Sequence, residues 1–380
     1  MSTDQRLTRI NQKMVERELH AYLATKTSDI RWLTGFSQIF DEEQAHALLV
    51  VSTLATDVPV RLMHTDMRYS SAMRQKNDGV LDVLDDERKA HSKFLVEQIE
   101  STIKGKVGSG ASIRLGIEND LSLSAYRSLV KAFDESDFSV ELVELPGFVI
   151  DLRAVKDAQE IEAMRVTQQI TDAGYLHMLE YLKPGLTEAE AAVELEFFMR
   201  RLGSQGLSFG SIVGSGPNAA NPHAVPGTRR LAKGDFVVLD FGAKLDDYRS
   251  DMTRTVVLGK ASDHQRQIYN TVLEAQLAAL AMIKAGLPTV EPFDRVNQIF
   301  AERGFGPLTH GLGHGVGIDI HESPVLATGA QDSLVVGHVV TVEPGIYIEG
   351  SDGVRIEDFG AVTEDGFDNF TASSKELFEL

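Results

Sequence analysis

Residues 235–259, DFVVLDFGAKLDDYRSDMTRTVVLG, consist of two apolar runs on either side of a polar centre. This pattern is typical of a β-hairpin. A turn near Leu245 and Asp246 would bring Asp240 and Asp251 opposite each other, because cross-strand partners in an antiparallel pair have a constant index sum. The stretch therefore predicts one pair of facing carboxylates.

A second stretch with the same pattern is HVVTVEPGIYIEGSDGVRIEDFGAVT, residues 338–363. A turn within residues 350–353 would bring Glu343 and Glu357 to a similar relation, within a residue or two of register. The flanking sequences VVLD and TVE suggest that the acids are buried, and buried facing carboxylates repel unless they are protonated or bind cations. Any one of the four acids can instead be a solvent-facing residue at a strand end, but the set favours a metal site.

A histidine-containing loop lies between the two hairpins, THGLGHGVGIDIHESP at residues 309–324. Its glycines argue against a regular helix, and no HExxH motif occurs, so a helical zinc pair is excluded. A lone histidine in such a loop is more often structural, but three of them, His310, His314 and His321, favour a ligand. One histidine and four acids would balance two divalent cations that share bridging carboxylates: Asp240, Asp251, His314, Glu343 and Glu357.

Bulk properties limit the partners and the location. The net charge of −19 argues against nucleic acid or an anionic membrane as a partner, because binding of phosphate groups depends on clustered Lys and Arg. The N-terminal residues do not have the pattern of a secretory signal, and no apolar run reaches the roughly 20 residues that span a bilayer. The absence of cysteine fits a reducing compartment. A cytoplasmic location is therefore expected.

The length of 380 residues favours two domains, predicted at 1–150 and 151–380, of α/β (α+β) class. In the first, helices at 3–24 and 92–103 and strands at 46–53 and 113–118 suggest an α/β layer. In the second, helices are predicted at 154–182, from the Thr187/Glu190 capping-box spacing to Gly203, and at 263–285 between the hairpins.

A series of motifs runs in order from about residue 150 to residue 365: LRAVKDAQEI, LKPGLTEAEA, SFGSIVGSGPNAANPHAVPG, VLDFGAKLDDYRSDMTRT, HGLGHGVGIDIHESP, TVEPGIYI and GVRIED. The series resembles the M24 metallopeptidases of pita-bread fold, specifically the branch with Xaa-Pro dipeptidase (prolidase) and aminopeptidase P. The first 150 residues more weakly resemble the creatinase/prolidase N-terminal domain, through IRWLTGF, HTDMRY and LGIEND. The resemblance implies a creatinase/prolidase-like α/β domain followed by a pita-bread catalytic domain.

The resemblance also implies a role for each ligand. Asp240 would chelate one metal ion, His314 and Glu343 the other, while Asp251 and Glu357 would bridge them. Manganese, cobalt or zinc is the usual occupant, and the oxygen-rich ligand set is compatible with manganese. A homodimer is expected from the family.

Catalytic and substrate-binding roles follow from the same resemblance. Glu343 would move a proton from the attacking water to the leaving proline nitrogen. His321 would stabilise the oxyanion, and His223, in NPHAVPG, would contact the substrate unless it is only a turn residue between two prolines. His310 is expected in the substrate site, and Arg355 is expected to orient ligands or bind substrate, or else to form a salt bridge with Asp251 or Glu357.

The expected substrate is a peptide with proline in second position. A strict dipeptidase needs a cation for the free carboxylate of the substrate, and some prolidases have an arginine between the IHE and EPG motifs. The corresponding residues 321–345 contain no arginine. This favours an aminopeptidase P activity on longer peptides, with Xaa-Pro dipeptidase as the alternative.

Other function classes are less consistent with the sequence. A metal-free creatinase-like amidinohydrolase or a binding-only pseudoenzyme on the same fold would usually lack part of the ligand set, and methionine aminopeptidases usually lack the large N-terminal domain. Another non-peptidase hydrolase or a lyase on the same fold stays an alternative. The GxSxG match at 206–210 follows a helix and precedes a strand, the reverse of a nucleophile elbow. The glycines at 108–110 lack the Gly-Lys-Ser/Thr of a phosphate loop.

Overall fold

The computed structural model describes residues 1–36, 48–52, 61–65, 67–76, 79, 81–85, 91–102, 104–107 and 112–380. The chain divides into two compact units, Met1–Arg153 and Ala154–Leu380. The domain limits expected from the sequence, 1–150 and 151–380, stay a prediction. Among the described residues, no helix has both the length and the apolar character that a membrane crossing requires.

The first unit is a sheet with helices along it. Its elements are α1 (Thr3–Glu16), β1 (Ala21–Ala24), α2 (Thr27–Thr34), β2 (Leu48–Ser52), β3 (Arg61–Thr65), α3 (Met67–Lys76), β4 (Asp82–Asp85), α4 (His91–Thr102), β5 (Ile113–Ile117), α5 (Leu123–Asp134) and β6 (Val140–Glu144), followed by α6 (Ile150–Ala154) at the division. The described strands have the order β4-β3-β2-β1-β5-β6.

The opening helix is shorter than its sequence predicts. It begins with a capping box between Ser2 and Gln5 and ends at Glu16, shortly before Glu18 adopts a left-handed backbone with φ of 55°. The prediction of a helix over 3–24 is wrong beyond that point, because residues 21–24 form the buried strand β1 between β2 and β5. The strand predicted at 46–53 corresponds to β2, and its predicted ends at 46, 47 and 53 lie outside the described residues, as do the glycines at 108–110 and one residue of HTDMRY.

The second unit carries the two hairpins. Its elements are α7 (Ala158–Tyr181), α8 (Glu188–Arg201), β7 (Gly206–Leu207), β8 (Ile212–Ser215), β9 (Phe236–Phe241), β10 (Ala243–Leu245), β11 (Tyr248–Arg249), β12 (Met252–Val257), α9 (Asp263–Leu280), α10 (Val290–Glu302), β13 (Gly313–Gly315), β14 (Glu322–Leu326), β15 (Val339–Val342), β16 (Gly345–Ile348), β17 (Asp352–Arg355), β18 (Asp358–Val362) and β19 (Phe367–Asn369).

Both hairpins pack against helices. Apolar residues of α7 and α8 form one core with β9 and β12, and apolar residues of α9 and α10 form another with β15, β16 and β17. Burying one apolar face of each sheet against helices leaves the polar strand ends directed away from these cores. The two halves are therefore architecturally similar, as the sequence suggests.

Several helices of the second unit begin or end at other residues than the sequence predicts. Helix α7 begins at Ala158 because Asp157 and Glu160 form a capping box, so the predicted start at 154 is wrong. The capping box predicted at Thr187 and Glu190 is confirmed. The helix predicted at 263–285 ends at Leu280, and the sequence analysis missed α10.

Candidate metal centre

The first hairpin places Asp240 and Asp251 on one face of its sheet. In the β9–β12 pair Asp240 lies opposite Thr253, and Asp251 immediately precedes β12. Asp251 is thus two residues from Thr253, a diagonal neighbour of Asp240 on the same face. The turn lies at Asp246 and Asp247, which have φ of 48° and 70°, so the turn predicted one residue earlier is wrong.

The second hairpin places Glu343 and Glu357 in register. Gly345 pairs with Arg355 in the β16–β17 ladder, and Val342 pairs with Asp358 in the β15–β18 ladder. Both ladders have the same index sum, so Glu343 lies opposite Glu357 in the gap between them. The predicted register of this hairpin is confirmed.

The two hairpins and the histidine loop bring the five predicted ligands together. One oxygen from each of Asp240, Asp251 and Glu357 lies within 4.8 Å of the others, and all three side chains are buried. His314 joins them from β13, with its Nε2 atom 3.6 Å from Asp251 Oδ2 and 3.3 Å from Glu343 Oε1. The arrangement is a cluster of four carboxylates and one imidazole.

The tautomer of His314 suits a metal ligand. Its Nδ1 atom lies 3.0 Å from the carbonyl oxygen of Gly315. Because a carbonyl oxygen only accepts, Nδ1 carries the proton, and Nε2 presents its lone pair to the carboxylates. Burial is the main cause that lowers the pKa of His314, which keeps the imidazole neutral.

The carboxylates are arranged as a cation site. Burial, together with the negative charges of neighbouring carboxylates, raises the pKa of Asp251 and of Glu357 well above their usual values. Burial also raises the pKa of Glu343 to about 7, although Arg355 opposes the shift. Among the described residues, Asp240 Oδ1 and Glu357 Oε1 are buried without a hydrogen-bond partner. Orphaned oxygens and the like charge that Arg355 leaves uncompensated fit divalent cations, which would satisfy both.

A hydrogen-bonded chain leads from this cluster to His310. The three nitrogens of Arg355 donate to Asp240 Oδ2 at 2.5 Å, to the Tyr347 hydroxyl at 2.7 Å and to Thr253 Oγ1 at 3.0 Å. The Tyr347 hydroxyl lies 3.0 Å from His310 Nε2, and His310 Nδ1 donates to the Gly311 carbonyl at 2.7 Å. Arg355 therefore pairs with Asp240, not with Asp251 or Glu357 as its salt-bridge alternative predicted.

Two threonines orient the glutamates. The Thr253 hydroxyl donates to Glu357 Oε2 at 2.8 Å, and the Thr341 hydroxyl donates to Glu343 Oε1 at 3.3 Å while it accepts from the backbone nitrogen of His314 at 3.0 Å. These threonines and Tyr347 were missed by the sequence analysis. Their signal was strand alternation, since Thr341 is two residues before Glu343 and Thr253 is two residues after Asp251.

The remaining two predicted residues, His321 and His223, are exposed. The His321 ring lies 4.4 Å from the His314 ring, at 69° to it, and is exposed. Burial, followed by the charges of His314 and His223, lowers the pKa of His321. His223 is exposed and also contributes, after burial, to the lowered pKa of His310. His223 is therefore close enough to His310 and His321 for their charges to interact.

Known proteins share both the sequence and the architecture. Metallopeptidase family M24 matches residues 162–364, and the Creatinase/Prolidase N-terminal domain matches residues 6–155. An Xaa-Pro dipeptidase of Pyrococcus horikoshii is 31% identical over 375 residues, 98% of this chain and 99% of its own length.

Solved structures of similar proteins have the same fold. An Xaa-Pro dipeptidase from Bacillus anthracis superposes with a TM-score of 0.89 at 34% identity, covering 100% of both chains. An X-Pro aminopeptidase from Thermotoga maritima has a TM-score of 0.82 at 30% identity, covering 96% of this chain and 99% of that chain. The predicted architecture is confirmed: a creatinase/prolidase-like α/β domain precedes a pita-bread catalytic domain.

Because the M24 match covers more than half of the chain and contains all five predicted ligands, this protein is a metallopeptidase of family M24.

Proposed function

We propose that this protein uses two divalent metal ions to hydrolyse the bond between an N-terminal residue and a following proline. The observation that carries the proposal is the cluster of Asp240, Asp251, Glu357, His314 and Glu343, in which Asp240 Oδ1 and Glu357 Oε1 are buried without a hydrogen-bond partner. Asp240 would hold one ion, His314 and Glu343 the other, and Asp251 and Glu357 both. When bound, the ions supply a water of lowered pKa that is nucleophilic at neutral pH.

The protein side chains divide the remaining chemistry. Glu343, oriented by the Thr341 hydroxyl, takes a proton from the attacking water and delivers it to the proline nitrogen as that bond breaks. His321, exposed beside His314, donates a hydrogen bond to the oxyanion. His223 and His310 would contact the substrate near the scissile bond, and the engagement of Arg355 with Asp240 and Tyr347 supports an orienting role for it.

The preferred substrate is a peptide that continues beyond the proline. Residues 321–345, from His321 to two residues past Glu343, contain no Lys or Arg. Arg355 is buried and already engaged, because each of its three guanidinium nitrogens donates to one of Asp240, Tyr347 and Thr253. A dipeptide carboxylate would therefore lack a charged partner from these positions. The names of the Pyrococcus and Bacillus relatives favour the second candidate, Xaa-Pro dipeptidase.

Manganese-loaded protein is expected to release alanine from Ala-Pro-Ala with a kcat/KM at least roughly tenfold higher than from Ala-Pro, because the dipeptide places a charged carboxylate where no cation receives it. Ala-Ala-Ala is the matched control for the proline requirement. Faster cleavage of Ala-Pro would establish the dipeptidase, and failure to cleave either proline peptide would sink the proposed function.

Thr253→Val is expected to weaken manganese binding by roughly 10–100-fold, because it removes the hydroxyl that orients Glu357 and leaves a donor of Arg355 unpaired. The affinity is measured by competition with a chelator. Thr271→Val is the matched control, since Thr271 is a buried threonine that bonds to a carbonyl of its own helix. Equal affinities in both variants would show that Thr253 does not orient the ligand.

The oxygen-rich ligand set favours manganese over zinc and cobalt. We also propose that the protein is a homodimer. Its other partners are peptide substrates, not nucleic acid or a membrane. Light scattering of the purified protein measures the oligomeric state, and a mass of one chain would remove the dimer from it.

A further inference from the structure

We propose that Lys156 and Glu322 form a buried ion pair that holds the loop carrying His321 in its catalytic position. The inference rests on the role proposed above for His321. Lys156 Nζ lies 2.9 Å from Glu322 Oε2, and the two side chains are 2% and 1% exposed. Glu322 directly follows His321 in the chain, whereas Lys156 precedes it by more than 160 residues.

Stability alone does not explain such a pair. Desolvating two charges costs as much as or more than their attraction returns, and apolar residues of similar volume often replace buried pairs without loss. Because Glu322 of the pair lies next to His321 in the chain, the role of the pair is to orient the His321 loop.

The Glu322 carboxylate fixes the shape of the loop. Its Oε1 atom accepts from the backbone nitrogen of Asp319 at 3.0 Å, and the backbone nitrogen of Gly317 donates to the Asp319 carbonyl at 3.0 Å. A Cβ atom on Gly317 would lie only 2.5 Å from Glu322 Oε2. The loop thus closes directly around the carboxylate, with space for a glycine alone at that point.

The loop also sets where His321 lies relative to His314. The β13–β14 ladder shifts register just after His314, so that Gly315 pairs with Glu322. This irregularity brings the two rings to a centroid distance of 4.4 Å. A displaced Glu322 would therefore move His321 away from the cluster without removing a ligand.

Lys156 is itself held by the backbone. The backbone nitrogen of Lys156 donates to the Gly337 carbonyl at 2.8 Å, and the preceding Val155 forms an isolated antiparallel β-bridge with His338. A Cβ atom on Gly337, which has φ of 90°, would lie 2.8 Å from the Lys156 carbonyl oxygen. The ammonium group is therefore presented from a fixed backbone, as a positioning residue requires.

The test uses the full-length protein with two variants, Lys156→Met and the apolar double variant Lys156→Met/Glu322→Leu. Both are expected to lower kcat by roughly 10–100-fold, with KM and the manganese Kd within about threefold of the wild-type values, because no ligand is touched. Amides of residues 315–322 are expected to exchange at least roughly tenfold faster in both. The double variant is expected to recover thermal stability, since no buried charge is left unpaired, but not kcat.

Val272→Ala is the control for general destabilisation, because Val272 is fully buried in the core of the second helix pair. It is expected to lower the melting temperature while kcat and the exchange of residues 315–322 stay unchanged. The proposal is overturned if the apolar double variant, which does not depend on tolerating a lone buried charge, restores kcat along with stability. Unchanged exchange of residues 315–322 in both variants would overturn it as well. If the wild-type protein cleaves no Xaa-Pro peptide, the proposed function fails, and the exchange comparison still decides whether the pair holds the loop.

Discussion

Asp251→Ala is expected to lower kcat/KM on Ala-Pro-Ala by at least about 10³-fold, because a ligand shared by both cations is lost and metal-ion polarisation supplies several kcal/mol of transition-state stabilisation. Asp251 is buried against Asp240 and Glu357 in the centre of the cluster. The variant is also expected to bind fewer than two manganese ions per chain. Glu364→Ala, which removes an exposed acid of the same unit, is the control. Retained activity and stoichiometry would remove the bridging role of Asp251.

Without metal, the Asp251 carboxylate is expected to destabilise the folded protein. Burial and the charges of Asp240 and Glu343 raise the pKa of Asp251 well above its usual value. An acid whose pKa is raised on folding destabilises the folded state above its unfolded pKa, and the penalty grows as the pH rises toward the folded value. Asp251→Asn is therefore expected to raise the melting temperature of metal-free protein near pH 7 and to reduce the further increase on adding manganese. A lower melting temperature without metal would contradict this electrostatic account.

Glu343→Gln is expected to lower kcat by roughly 10²–10⁴-fold, because the amide retains an oxygen but cannot accept the proton of the attacking water. The loss is expected mainly in kcat, which steady-state kinetics on Ala-Pro-Ala separates from KM. Glu349→Gln is the matched control, since Glu349 is exposed at the turn of the same hairpin. Comparable kcat values for wild type and Glu343→Gln would show that another group moves the proton.

The clustering of the proposed ligands was largely predictable because hairpin register follows from local pattern. Glu343 and Glu357 face each other across a hairpin whose turn contains Gly350, with φ of 75°. The turn of the first hairpin was predicted one residue too early. It consists of Asp246 and Asp247, both with positive φ, a conformation that sequence patterns assign more readily to Asn-Gly or Asp-Gly. The face shared by Asp240 and Asp251 survived this error because the displacement moves the pairing by two positions.

Contacts between distant segments were not predictable. The partner of Arg355 is Asp240, whereas the sequence analysis expected a salt bridge with Asp251 or Glu357. Lys156 and Glu322 give no sign of each other in the sequence, since neither lies in a shared local pattern. The strand β1 was hidden inside an apparent helix because it follows α1 closely, with no Gly or Pro between them to mark the boundary.

The central claim is that five residues from two hairpins and one loop hold two metal ions. Anomalous diffraction from crystals of the manganese-loaded protein tests it most directly. The account predicts two manganese peaks about 3.5–4 Å apart, both in contact with Asp251 and Glu357, with Asp240 on one and His314 and Glu343 on the other. A single peak in crystals of active protein, or two peaks bound by other residues, would contradict it.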